Sequence, residues 1–146
     1  MSLTAGEERL VVFWRALFEV LDRSGSRRRR PRAKPEGFQK KSLGRSEVAM
    51  CVRLVPGDAR VDVFVVLMGE NAKPRFHALL ADREAIDRDL GLAPTWDEKP
   101  DRKESHIRVT HACDFEQPAT WEPTVTWVAD TLNRFDRVFR VRVREL

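Results

Sequence analysis

Apolar and polar positions follow a helical period at both ends of the chain and a strand period in its middle. In residues 7–22 the side chains of Leu10, Phe13, Trp14, Leu17, Phe18 and Leu21 recur at the spacing of one helix face. Glu7 and Glu8 favour the start of that helix through its macrodipole, and Ser24-Gly25-Ser26 ends it. Over residues 38–68 the period shortens. Val48, Met50, Val52 and Leu54 alternate with Glu47, Ala49, Cys51 and Arg53, and Val61, Val63, Val65 and Leu67 alternate with Asp62, Phe64 and Val66. Both runs predict strands. Pro56-Gly57-Asp58 between them is turn chemistry, so the two form a hairpin. Gly37 to Leu43 predicts a further strand, turning at Gly44-Arg45-Ser46. The run 61–68 is apolar on both faces, which places it centrally and covered on each side.

Helical spacing returns in residues 74–90 with Phe76, Leu79, Leu80, Ile86 and Leu90. Pro74 suits the first turn and Gly91 a left-handed stop. Trp96 and a polar stretch lead into a strand from His106 to Cys113, with Ile107, Val109 and His111 on one face. A last helix begins near Trp121, with Thr120 as its cap and Pro123 in its first turn. Val128, Leu132, Phe135 and Phe139 form its apolar stripe. The expected fold is α+β: an antiparallel or mixed sheet of about four strands with three helices, in the order α-β-β-β-α-β-α. The first and last helices, both rich in aromatics, are expected to pack on one sheet face and on each other.

A chain of 146 residues is the size of one domain and needs neither metal nor disulfide to fold. The domain is expected to span 8–146, with 1–7 disordered or a remnant of expression and 23–37 a basic loop. Charge then changes the picture. Residues 23–41 hold nine Lys and Arg against the single acid Glu36, leaving 18 bases and 22 acids elsewhere, for a formal net charge of +4. The excess is local, which favours a local anion site over a general affinity for polyanions. Its centre is Arg27-Arg28-Arg29-Arg30-Pro31-Arg32-Ala33-Lys34-Pro35. Four adjacent guanidinium groups cannot all be buried, because each keeps its charge and its donors. Pro31 and Pro35 argue against a regular element there. Arginine makes bidentate contacts to phosphate, so Arg27, Arg28, Arg29, Arg30, Arg32 and Lys34 are the candidate nucleic-acid-binding residues. The alternatives are contact with a protein or lipid headgroup, and a plain solvated loop. Cys51 and Cys113 are far apart in apolar settings, the reduced pattern of a cytoplasmic protein. No run is apolar enough to span a membrane and no signal peptide opens the chain.

The aromatic anchors carry a resemblance. Phe13-Trp14 with Phe18 and Leu21 comes first, followed by the hairpin and the helix closing on Leu90-Gly91. Trp96, Arg102-Lys103 with Ser105 and Ile107, and finally Trp121, Trp127, Phe135 and Phe139 complete it. In this order the chain, over about residues 8–146, resembles the bacterial and archaeal domain of unknown function number 4268. That resemblance implies a domain often C-terminal to a half resembling a restriction-endonuclease-type nuclease. It carries over no catalytic residue, and the nuclease-like half is absent from this sequence.

The order α-β-β-β-α-β is also the core order of restriction-endonuclease-like nucleases. These need a carboxylate at the start of one strand and an acid-x-Lys on the next, to hold Mg²⁺ and activate water. Glu47 opens the first strand of the hairpin, but the second carries Asp62-Val63-Phe64, with Phe in the place of Lys. Asp58, Glu70 and Lys73 lie off the spacing. Glu47, Asp58 and Asp62 are thus the only catalytic candidates, and no catalytic residue is assigned. His106, His111 and Cys113 give one close pair of metal-ligand types where zinc needs three or four ligands, so neither metal nor cofactor is expected. Cys51 has no His or acid at nucleophile spacing. Trp14, Trp121 and Trp127 fall on amphipathic helices and read as core, while Trp96 sits in a loop. Arg134, Arg137, Arg140 and Arg144 lie at helical spacing, as a second basic stripe or a solvated face. The sequence therefore points to a non-catalytic accessory domain that binds nucleic acid through its basic loop, in a nucleic-acid-processing or defence system. The alternatives are a protein-interaction or self-association module and a divergent Mg-dependent nuclease.

Overall fold

The computed structural model describes residues 2–24 and 32–146. Helix α1 (Ala5–Arg23) opens the chain. It starts earlier than its apolar period implies because Thr4 and Glu7 form a reciprocal capping box, each side chain accepting from the other's backbone N–H. Residues 4–7, expected outside the domain, thus build the first turn. Strands β1 (Phe38–Arg45), β2 (Val48–Val55) and β3 (Arg60–Met68) follow. The β2–β3 connection is the expected turn at Pro56–Asp58, closed by Ala59 in a left-handed conformation. Strand β1 runs on to Arg45 through a bulge at Leu43-Gly44, where Gly44 takes φ +94°, and the turn falls at Ser46-Glu47.

The helix expected over 74–90 is two helices, α2 (Ala72–Leu80) and α3 (Arg83–Leu90). The break lies at Asp82, whose backbone leaves the helical range (φ −107°, ψ 20°) and whose carboxylate accepts from Arg142 Nε at 3.2 Å. Gly91 ends α3 in the left-handed region as expected, and its N–H bonds back to Asp87 and Arg88. A short strand β4 (Thr95–Asp97) precedes β5 (Glu104–Ala112). Helix α4 (Glu122–Arg144) closes the chain. Thr120 is not its cap: its hydroxyl donates to Gln117 O within a tight turn, and the N-cap position falls to Trp121. The fold is α+β, with one more strand and one more helix than expected.

The sheet is antiparallel throughout, in the order β1-β2-β3-β5-β4. Its alternation sorts the side chains onto two unlike faces. Val61, Val63, Val65 and Leu67 of β3, Val52 and Leu54 of β2 and Ile107 of β5 join the core under the helices. Helices α1 and α4 pack against each other, as expected, and α4 crosses β1, β2 and β3. On the opposite face Ala49, Cys51, Phe64 and Val66 form a small separate cluster. The expectation that β3 is covered by other elements on both sides is corrected here. It is central, but among the described residues no helix lies on this second face, and the cluster is shielded by side chains of the sheet itself. No helix among the described residues is long and apolar enough to cross a membrane.

Candidate functional site

The carboxylates singled out for metal chemistry do not converge. Glu47 does not open a strand. It sits in the β1–β2 turn with φ +65°, beside Val48, which pairs with Leu67. Asp62 lies five positions back along β3, so about 17 Å of extended chain separates the two. Asp62 is 2% exposed and fully engaged: Arg60 Nε donates to it at 3.2 Å and Thr110 Oγ1 at 2.7 Å. Arg60 also donates to Asp58. The Asp58 hydrogen bond, followed by the Asp62 charge, raises the guanidinium above its ordinary pKa. Arg60 thus joins the two aspartates. Lys73 is remote from them, its ammonium held by the carbonyls of Glu98, Lys99 and Glu104 and by Ser105 Oγ.

The His and Cys residues are equally dispersed. His111 packs its ring on Trp127 at 4.9 Å on the helix side, and Thr124 Oγ1 lies 3.3 Å from its Nδ1. His106 faces the other way and stacks on Phe64 with ring centroids 4.5 Å apart. Burial pushes His106 below the usual imidazole range, against the pull of the Glu104 carboxylate. Burial also pushes the Cys51 thiol up to about 12 and the Cys113 thiol up to about 11, far from the thiolate that reactivity requires. Among the described residues no three His, Cys, Asp or Glu side chains gather as a metal ion needs.

The tryptophans read as core are core: Trp14 and Trp121 are buried and Trp127 is partly buried against the same core. Trp96 lies in β4, not in a loop. Its Nε1 donates to Asp87 Oδ1 at 3.2 Å, and Phe76 and Arg83 border its ring. The C-terminal arginines are partly neutralised. Arg134 pairs with Asp130 and Arg140 with Asp136, each one turn back on α4, and Arg142 spans Asp82 and Asp89. Arg137 and Arg144 are exposed.

Of the basic segment, Arg27 to Arg30 lie outside the described residues. Arg32 and Lys34 are exposed, as is Lys40 in β1, and none of the three makes an ion pair among the described residues. Arg32 borders a groove of about 570 Å³ between α1 and the β1–β2 edge, floored by Trp14, Phe18, Met50 and Val52.

The uncovered sheet face holds residues that the sequence did not single out. Strand pairing lays Phe38, Arg53, Asp62 and Thr110 in one row across β1, β2, β3 and β5. The next row is Lys40, Cys51, Phe64, Arg108 and Thr95, which extends to β4. Two hollows meet at Arg53. One, of about 290 Å³, is lined by Phe38, Phe64, Val66 and Met68 with Lys40, and with His106 beside Glu104, at its borders. The other, of about 420 Å³, is polar and lined by Arg53, Arg60, Lys99, Arg108 and Thr110 with Asp62 and Asp97. The signal in the sequence was Arg53 itself, a charge at the centre of an otherwise apolar strand.

A small antiparallel sheet backed on one face by four helices, with a basic segment leading into its edge strand, defines a helix-backed α+β domain without a convergent catalytic cluster among the described residues. The model of the family described as domain of unknown function DUF4268 matches residues 11–143, and the chain belongs to that family. No curated protein and no solved structure matches it significantly.

Proposed function

We propose that this chain is a non-catalytic accessory domain that holds nucleic acid for a larger nucleic-acid-processing or defence system, gripping phosphates through residues 27–34. The observation that carries this reading is the concentration of charge. Nine cations against one acid fall in residues 23–41 while the rest of the chain is mildly acidic, and Arg32, Lys34 and Lys40 stand exposed without ion pairs among the described residues. Cations left unneutralised by the protein's own carboxylates are available to displace the counterions of a polyanion. The nuclease-like neighbours that the family resemblance implies are part of this reading. A cleaving activity of its own is disfavoured by the separation of Glu47 from Asp62 and by the arginine seated between Asp58 and Asp62.

The test is the variant carrying alanine at Arg27, Arg28, Arg29 and Arg30, titrated against labelled DNA and RNA by fluorescence anisotropy. Its affinity is expected to fall by about two orders of magnitude at low salt, with an unchanged melting temperature. Equal affinity of the variant and the unmodified chain would refute the proposal.

A further inference from the structure

We propose that the uncovered sheet face is a stacking platform for single-stranded nucleic acid, with an unpaired base laid on Phe38 and the guanidinium of Arg53 while Lys40 meets the adjoining phosphate. This inference rests on the reading of the chain as a nucleic-acid-binding domain and adds the form of nucleic acid it selects.

The argument starts from Phe38. A large apolar ring on an edge strand is usually turned inward or covered, yet Phe38 is 46% exposed. It lies directly across from Arg53, its register partner. The Arg53 guanidinium sits 4.8 Å from the centroid of the Phe64 ring, and Phe64 stacks in turn on His106, which is 5% exposed. Phe38 and Phe64 are 6.4 Å apart. Flat π surfaces therefore run across β1, β3 and β5, with a guanidinium plane on top of the central ring. Aromatic rings and guanidinium planes are the two surfaces on which unstacked bases settle.

The polar atoms point the same way. Among the described residues Arg53 makes no ion pair, and its Nε is buried without a hydrogen-bond partner, as is His106 Nδ1. A buried donor or acceptor with no partner is costly unless a ligand or water satisfies it. Nucleobase edges carry carbonyl and ring-nitrogen acceptors alongside amino donors, the kinds of partner that such orphaned atoms lack. Lys40 follows Phe38 by two residues on the same strand face, which places beside the exposed ring an ammonium with no ion pair among the described residues. Beyond Arg53 the polar hollow adds Arg108, Lys99 and Arg60 against Asp62 and Asp97, an excess of positive charge next to the apolar hollow. An apolar hollow and a cationic hollow joined at one arginine match a base and its phosphate. A duplex cannot use such a surface, because its base faces are already stacked, whereas a flexible strand can splay its bases onto a flat sheet. The basic segment leads directly into β1, so phosphates held at Arg32 and Lys34 lie upstream of Phe38 and Lys40 on one continuous piece of chain.

The experiment compares the full chain with Phe38→Ala, Phe38→Leu and Phe38→Trp by anisotropy, using a labelled short oligothymidylate and its duplex with oligoadenylate. Phe38→Ala and Phe38→Leu are expected to weaken single-strand binding about 5- to 100-fold, the effect of losing one stacked base, with duplex affinity within about twofold of the unmodified chain. Phe38→Trp is expected to retain single-strand binding. Leucine keeps the apolar cover over Phe64 and removes only the π face, so it separates stacking from folding. Single-strand affinity unaltered in the alanine and leucine variants, while replacing Arg27 to Arg30 still weakens binding, overturns the platform and leaves the basic segment standing. No binding of either oligonucleotide by the unmodified chain overturns both readings.

Discussion

Trp14→Ala is expected to destabilise the domain by about 4 kcal/mol, the usual cost of removing a fully buried tryptophan, and to lower its melting temperature by about 12 °C. Trp14 is completely buried. It meets Phe13 edge to face at 6.1 Å and Phe18 in a stacked pair at 6.3 Å. Its indole N–H also donates to the carbonyl of Glu36 at 2.7 Å. That bond ties α1 to the chain just before β1, across the basic segment that separates them in sequence. Trp14→Phe keeps most of the ring and leaves the Glu36 carbonyl without its donor, so it is expected to cost about 1–2 kcal/mol. Circular-dichroism melts of the two variants separate packing from the hydrogen bond. Equal melting temperatures for both would mean that volume contributes nothing, against this account of the core.

Lys73→Met is expected to cost about 3 kcal/mol, because it leaves inward-facing acceptors unpaired. Among the described residues no carboxylate meets its ammonium. It donates instead to Lys99 O at 2.7 Å, Glu104 O at 2.8 Å and Ser105 Oγ at 3.1 Å, and to Glu98 O. The connection from β4 to β5 turns these carbonyls inward, with Lys99 in the left-handed region at φ +53°, and buried Ser105 adds its own bond to Glu98 O at 2.7 Å. A compact ammonium satisfies converging acceptors that a methionine would leave unpaired, and hydrogen bonds to charged groups are the stronger kind. Lys73→Arg is not expected to restore stability, because a planar fork cannot address acceptors arranged around a point. Melting temperatures check both variants, and a methionine variant as stable as the unmodified chain would contradict the assignment. The same loop carries Lys99 to the cationic hollow on the sheet face, so single-strand affinity should fall along with stability.

The parts of this fold set by local pattern were legible in the sequence. Alternation in 48–55 and 61–68, the turn at Pro56-Gly57-Asp58 and the left-handed stop at Gly91 each declare themselves within a few residues. The break between α2 and α3 did not, because the apolar residues on either side stay in phase and no glycine or proline marks Asp82, whose carboxylate meets Arg142 sixty positions away in the chain. Strand β4 has three residues, too few to establish a period. The open sheet face was hidden for a different reason. Phe64 and Val66 read as a second buried face, and with Ala49 and Cys51 they are buried, but Phe64 is covered by Arg53, Phe38 and His106 from its own sheet rather than by another layer. Apolar composition reports burial and says nothing of what does the burying. The candidate site divides in the same way. The basic segment is visible as a run of letters, whereas Phe38, Lys40 and Arg53 come together only once β1 and β2 are in register.

The most direct test of phosphate gripping is the salt dependence of DNA binding by the unmodified chain. Four arginines engaged with phosphates contribute about −3 to −4 to the slope in a plot of log affinity against log salt concentration, and the slope is expected to become shallower by that amount when Arg27 to Arg30 are alanine. A slope near zero in the unmodified chain, or one that survives that replacement intact, would contradict it.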